Sequence, residues 1–321
     1  MIVSELYSGS GLGNQLWNLV VPRILAKKNG YEWGVKKSNP FKACAFMTNF
    51  DFGKEVVGGS GPEGGPPETL PEGIENYCKE RDERYPPYLG GEEVMFFDDN
   101  LWNNLSDNTK VEGCFQKMGY IKEYRDDIIK WLDYDEKITQ YSSDNICVIQ
   151  FRGGDYLTGA SWLPPEYYQN AAKHMLEKNP NMKFVCVTDD AESARKFIPF
   201  AEVVGSAVME EKDPYQGSIG WYKYPGGPIG IDYSILNTSK NAIISASTFS
   251  FWPVWTNKGC DVIAPRYWFD WKNSNGWWRP DESIVDEWYW LDRQGDLMTG
   301  TDCKIEYEMF KESKQFYKRT R

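Results

Sequence analysis

Three segments of this sequence place chemistry-bearing side chains directly after apolar runs. The first is Gln150-Phe151-Arg152-Gly153-Gly154-Asp155-Tyr156, which follows Ile146-Cys147-Val148-Ile149. A guanidinium beside two glycines at the end of a buried strand can reach a diphosphate, because its planar fork binds phosphate oxygens bidentately and stays charged. Arg152 can equally pair with Asp155 across the turn. The second segment, Ala246-Ser247-Thr248-Phe249, follows Ala242-Ile243-Ile244-Ser245. Small hydroxyl residues at a helix start offer unpaired N–H groups and side-chain donors to an anion, and they also serve as ordinary N-caps. The third is Val187-Thr188-Asp189-Asp190. Its carboxylates could accept hydrogen bonds from ribose hydroxyls or the N–H edge of a nucleobase, while one of them caps the helix that starts at Ala191.

The elements needed to position these groups alternate. Strands are expected at Ile146–Phe151, Phe184–Val187, Glu202–Val204, Ala242–Ser245 and Asp261–Ile263. Helices are expected between them, at Pro165–Lys178, Ala191–Phe197, Asp232–Ser239 and Phe249–Lys258. That rhythm predicts an α/β domain with a parallel, doubly wound sheet, whose ligands bind at the carboxyl ends of its strands. The chain opens on the strand-like Met1–Tyr7, a glycine-rich turn through Ser10-Gly11-Leu12-Gly13-Asn14-Gln15, and a helix from Leu16 to about Lys28 in which Pro22 should cause a kink. A boundary near residue 140 gives domains 1–140 and 141–321. Gly58–Pro67, almost wholly Gly and Pro, and Asp213–Gly230, which holds Trp221, Tyr222 and Tyr224, are expected to be loops.

Composition narrows the function classes. Over 321 residues the net charge is −11. A surface that acidic repels nucleic acid and anionic lipid, though it leaves room for one local basic pocket. The 14 tryptophans suit stacking against sugar rings, or core packing. Trp268 and Trp288 are expected to pack, and Trp271, Trp277 and Trp278 to be exposed. The 7 cysteines never approach metal-ligand spacing, which fits free thiols in a reducing compartment. With no signal peptide or long apolar run, the expectation is a soluble, cytoplasmic protein. Asp133-Tyr134-Asp135 matches a metal-binding D-x-D pattern, but it ends an amphipathic helix and reads as a solvated helix end. His174, the lone histidine, lacks partners for metal or triad chemistry. The basic stretch Lys311–Arg321 reads as a solvated tail or helix end.

Taken in order, the segments resemble the motifs of family 11 glycosyltransferases, the alpha-1,2-fucosyltransferases. Ser10–Gln15 followed by Leu25-Ala26-Lys27-Lys28 is similar to G-G-L-G-N-Q…L-A-K-K. Gln150–Tyr156 resembles H-x-R-R-G-D-Y, and Thr188-Asp189-Asp190 resembles S-D-D. Asp232–Leu236 and Ile244–Trp252 resemble D-x-x-L-M and I-x-S-N-S-T-F-S-W-W, while Pro265–Phe269 and Trp288 resemble the closing P-x-x-W-F and W segments. Gln150 stands where the family has His, Gly153 where it has a second Arg, Ala246 where it has Asn, and Phe251 where it has Trp.

The resemblance implies a GT-B fold, two Rossmann-like domains facing a cleft, with residues 1–140 on the acceptor side and 141–321 holding the donor. It implies inverting, metal-independent transfer of fucose from GDP-fucose to a sugar hydroxyl, without a cofactor. On this reading Arg152 and the helix start at Ser247 and Thr248 meet the charge that develops on the diphosphate. Asp155 is the candidate base, and Gly13, Asn14, Gln15, Gln150, Gly154, Asp189, Asp190 and Phe249 complete the donor site. The lost His and Arg leave two alternatives open: a GT-B transferase with another nucleotide-sugar donor, and a non-catalytic glycan-binding relative.

Overall fold

The computed structural model describes residues 1–7, 9–37, 43–61, 66–81, 97–135, 137–208, 227–274, 276–280 and 283–313. The chain divides into two units, Met1–Asp135 and Glu136–Arg321. Both are mixed α/β units built on parallel sheets. Among the described residues, no helix is long and apolar enough to cross a membrane.

In the first unit the apolar opening forms β1 (Ile2–Leu6), followed by α1 (Leu12–Asn29) and β2 (Trp33–Lys37). A short helix α2 (Cys44–Met47), strands β3 (Gly58–Ser60), β4 (Thr69–Pro71) and β5 (Asn76–Lys79), and a short helix α3 (Asp99–Asn103) lead to β6 (Thr109–Glu112). Helices α4 (Met118–Ile121) and α5 (Arg125–Trp131) complete it. The parallel sheet runs β2-β1-β6-β5.

Two expectations change here. Helix α1 starts at Leu12, not Leu16, because Gly11 takes an extended conformation and its carbonyl accepts the Gln15 N–H at 3.0 Å. One continuous helix also carries Pro22, since the buried Leu16, Leu19, Val20, Ile24 and Leu25 pin both sides of it. Gly58–Ser60 is not loop: it pairs antiparallel with Thr69–Pro71 in a ribbon of its own, where Gly58 and Gly59 adopt φ of 74° and 78° that side-chain-bearing residues resist. Residues 62–65 of that segment lie outside the described residues.

In the second unit the strands are β7 (Ile146–Phe151), β8 (Lys183–Thr188), β9 (Glu202–Val203), β10 (Asn241–Ile243), β11 (Asp261–Pro265), β12 (Tyr289–Leu291) and β13 (Leu297–Thr299). Helices α6 (Pro165–Lys178), α7 (Ala191–Phe197), α8 (Gly227–Thr238), α9 (Thr248–Thr256) and α10 (Gly300–Ser313) connect or follow them. The order is β13-β12-β11-β10-β7-β8-β9, parallel throughout except for β13. From β7 the chain winds outward through β8 and β9, then returns to place β10 on the other side of β7. That reversal is a topological switch point, and the crevice at its carboxyl end is where ligands of doubly wound sheets bind. The expected loop 213–230 is helical from Gly227, and Trp221, Tyr222 and Tyr224 lie outside the described residues. Of the basic tail, Lys311–Ser313 closes α10 and the rest lies outside them.

The tryptophans from Trp268 to Trp290 are core. Trp268 and Trp288 are buried, but so are Trp271, Trp277 and Trp278, against expectation. Trp278 meets Trp290 edge-on at 4.9 Å, Trp277 meets Phe310 at 4.8 Å, and Trp271 donates its indole N–H to the Leu291 carbonyl at 2.9 Å. Polar neighbours in sequence hid partners that arrive from β12 and α10.

One buried charge pair tests the packing of the first unit. Lys117 and Glu80 are both wholly buried and ion-paired, and Glu80 also accepts the Phe115 N–H at 2.8 Å. Lys117→Met should leave that carboxylate buried without its cation and lower stability by about 3–5 kcal/mol, measured by urea unfolding.

Candidate functional site

The carboxyl ends of β7 and β8 gather five of the sequence-nominated residues into one network. Arg152, one residue beyond β7, donates from Nη1 to Asp189 Oδ2 at 2.5 Å and from Nη2 to Asp155 Oδ1 at 2.9 Å. Its guanidinium lies over the Tyr156 ring, 4.9 Å from the centroid. Gly153 N–H donates to Asp189 Oδ1 at 2.9 Å, and Gly154 N–H to Asp190 Oδ2 at 3.3 Å. Asp190 is the N-cap of α7, its Oδ1 accepting the Ser193 N–H at 3.0 Å. Burial opposes its charge, but hydrogen bonds from Ser193 and from Gly154 outweigh that and hold the carboxyl below its ordinary range. Both readings of Arg152 therefore meet in one place, since its pairing with Asp155 is formed at the end of a buried strand.

Glycine at 153 is a steric requirement. A Cβ there would overlap the Cβ of Asp190 and lie 2.8 Å from its Oδ2. The side chain missing at this position is thus excluded by the close approach of the two strand ends. Gly154 sits at φ +53°, with Asp189 Oδ2 3.3 Å from where its Cβ would be.

Across the switch point, Gln150 is buried and accepts the Ser245 hydroxyl on Oε1, while its Nε2 donates to the Phe151 carbonyl at 3.3 Å. Ser245, which sequence reasoning saw only as a strand end, thereby ties the loop after β10 to the last turn of β7. The signal for it was a small polar residue closing an apolar run. Ser247 caps α9, accepting the Phe249 N–H at 3.3 Å, so the capping role is real. Thr248 and Phe249 open that helix and are half-buried. Ala246 is wholly buried, and Phe251 stacks on Trp255 at 5.7 Å.

Gly13, Asn14 and Gln15 belong to the other unit and occupy the first turn of α1. Gly13 is buried. Gln15 is also buried and turns its Nε2 onto the carbonyls of Tyr7 and, at 3.3 Å, Ser10, so it braces the glycine turn. Asn14 Oδ1 accepts from Gln116 Nε2 at 3.2 Å. His174 binds the Gly295 carbonyl at 2.8 Å and lies 3.5 Å from Glu177. Among the described residues, no group of three or more His, Cys, Asp or Glu side chains is placed to hold a metal ion.

The model of glycosyl transferase family 11 matches residues 95–290. This chain belongs to that family. A curated relative, the O-antigen biosynthesis glycosyltransferase WbnK of Escherichia coli, is 24% identical over 207 residues, covering 57% of this chain and 63% of that protein. The match thus spans less than two thirds of WbnK. Among solved structures, NodZ alpha-1,6-fucosyltransferase soaked with GDP-fucose aligns with a TM-score of 0.40 at 12% identity, over 93% of this chain and 98% of that one. NodZ from Bradyrhizobium aligns at 0.36 and 12%, over 92% and 97%.

For this family 11 chain the tight strand-end contact makes a direct prediction. Gly153→Ala should cost about 1–3 kcal/mol through overpacking against Asp190, measured by chemical unfolding. In a double-mutant cycle with Asp190→Gly, which removes the clashing Cβ, the cost of Gly153→Ala should shrink by more than the 0.3–0.5 kcal/mol or so expected of independent sites.

Proposed function

We propose that this protein is an inverting, metal-independent glycosyltransferase that moves fucose from GDP-fucose to a sugar hydroxyl. In this reading the chain has a GT-B-like division of labour, with the donor on the C-terminal unit and the acceptor on the N-terminal unit. The observation that carries the proposal is Arg152 beside Gly153 and Gly154 at the carboxyl end of β7, next to the switch point. The choice of fucose is supported by the ordered motifs from Ser10–Gln15 to Trp288. Seven cysteines, all unbridged, support a cytoplasmic setting.

The chemistry required of the site is charge stabilisation on the leaving group. As the glycosidic bond breaks, negative charge gathers on the diphosphate, and a fixed guanidinium and aligned backbone N–H groups meet it without reorganising. Arg152 would exchange Asp189 and Asp155 for phosphate oxygens. Those pairs are partly exposed, with the Asp155 side chain 75% accessible, so they hold Arg152 by only about 0–1 kcal/mol each. A charge-assisted phosphate hydrogen bond contributes about 1.5–3 kcal/mol and competes well. The released Asp155 is then available to accept the acceptor's proton. Asp189 and Asp190 would face ribose or base. Gln150, already committed to Ser245, positions the strand end.

The test is a thermal-shift titration of wild type and Arg152→Ala with GDP, GDP-fucose, GDP-mannose, UDP-galactose and UDP-glucose. GDP and GDP-fucose at a hundred times their dissociation constants should stabilise the wild type by about 2.7 kcal/mol, and the shift should vanish in the variant. A response to UDP ligands alone would replace the donor. No response to any nucleotide would favour the glycan-binding alternative.

A further inference from the structure

The contacts of the Arg152 side chain are of two kinds. Its pairs with Asp189 and Asp155 each occupy an N–H donor. Its contact with the Tyr156 ring, 4.9 Å from the centroid, occupies none. A ring face attracts a guanidinium through its quadrupole, so it restrains the fork and leaves every N–H free for an acceptor.

The ring is itself fastened through its backbone. Tyr156 lies in the middle of a 3-10 turn, Gly154–Thr158. Its N–H donates to the Gly153 carbonyl at 3.0 Å, and its carbonyl accepts the Gly159 N–H at 2.8 Å. The turn is entered through Gly154, at φ 53°, whose N–H is held by Asp190. The following residue, Leu157, packs against the core that holds Phe151 and Tyr168. Tyr156 is half-buried, and burial pushes its phenol up against the opposing charge of Arg152, which keeps the ring neutral.

The two kinds of contact part company when an anion arrives. Phosphate oxygens compete for the N–H donors that Asp155 and Asp189 occupy, but not for the ring face. Released from both carboxylates, a long arginine side chain would spread over many rotamers, and regaining one geometry would cost affinity. The ring is the contact that survives the exchange.

We propose that Tyr156 is a positioning residue for Arg152, holding the guanidinium at the end of β7 while its carboxylate partners give way to a diphosphate. The proposal rests on the reading of Arg152 as the diphosphate ligand, and it names the residue that preorganises that ligand. What position 156 needs is an aromatic face; the phenol hydroxyl is dispensable.

Isothermal titration calorimetry with GDP on the full chain tests it, using wild type, Tyr156→Phe and Tyr156→Leu. Tyr156→Phe, which keeps the ring, should bind GDP within about twofold of wild type. Tyr156→Leu, which keeps apolar bulk without a π face, should bind it roughly 5- to 30-fold more weakly while retaining the native circular dichroism spectrum. Should Tyr156→Leu fail to fold, the unbranched Tyr156→Met takes its place with the same expectation. A folded aliphatic variant that binds GDP as tightly as wild type would overturn the proposal and leave the donor reading standing. Equal weakening in Tyr156→Phe and the aliphatic variant would overturn it too, because the hydroxyl would then be the active group. A wild type that binds no GDP would remove the donor reading itself, and this role with it.

Discussion

The second unit depends on how closely β7 and β8 approach at their carboxyl ends. Two consecutive N–H groups, of Gly153 and Gly154, point at the carboxylates of Asp189 and Asp190, and the contact is tight enough that residue 153 has no room for a side chain. From this one contact follow the cap of α7, the counter-ion of Arg152 and the direction in which Arg152 projects. The family position that elsewhere carries a second arginine is closed by it. The strand end is a backbone nest filled by the protein's own carboxylates.

That arrangement sets the electrostatics. One guanidinium faces Asp155 and Asp189, with Asp190 behind them, on a protein of net charge −11. On the proposed reading, long-range attraction would give a nucleotide little help, so affinity would come from short-range geometry: the planar fork of Arg152 and the N–H groups at the start of α9. Gln150 and Ser245 keep the two strand ends in register across the switch point with a buried bond that no titration can break, where the family's histidine would be ionisable.

Much of this was legible in the sequence because the determinants are local. The Ile146–Phe151 and Lys183–Thr188 strands are apolar runs rich in β-branched residues, the Pro165–Lys178 helix starts on its proline, and Asp190 and Ser247 cap the helices they precede. What escaped depends on contacts distant in the chain. The strand order with its reversal, the burial of Trp271, Trp277 and Trp278 by β12 and α10, and the inward turn of Gln15 toward Tyr7 are all settled by partners that spacing does not reveal. The ribbon at Gly58–Ser60 was missed because glycine reads as loop even where positive φ lets it pair.

On the proposed function, the diphosphate of the donor sits on Arg152 at the switch point of the second unit. A crystal structure of the protein with GDP tests it most directly. The β-phosphate oxygens should lie within hydrogen-bond distance of Arg152 Nη1 and Nη2 and near the first N–H groups of α9, with Asp155 swung away from the guanidinium. A bound GDP that leaves Arg152 paired with Asp155 and Asp189, its phosphates held elsewhere, would contradict it.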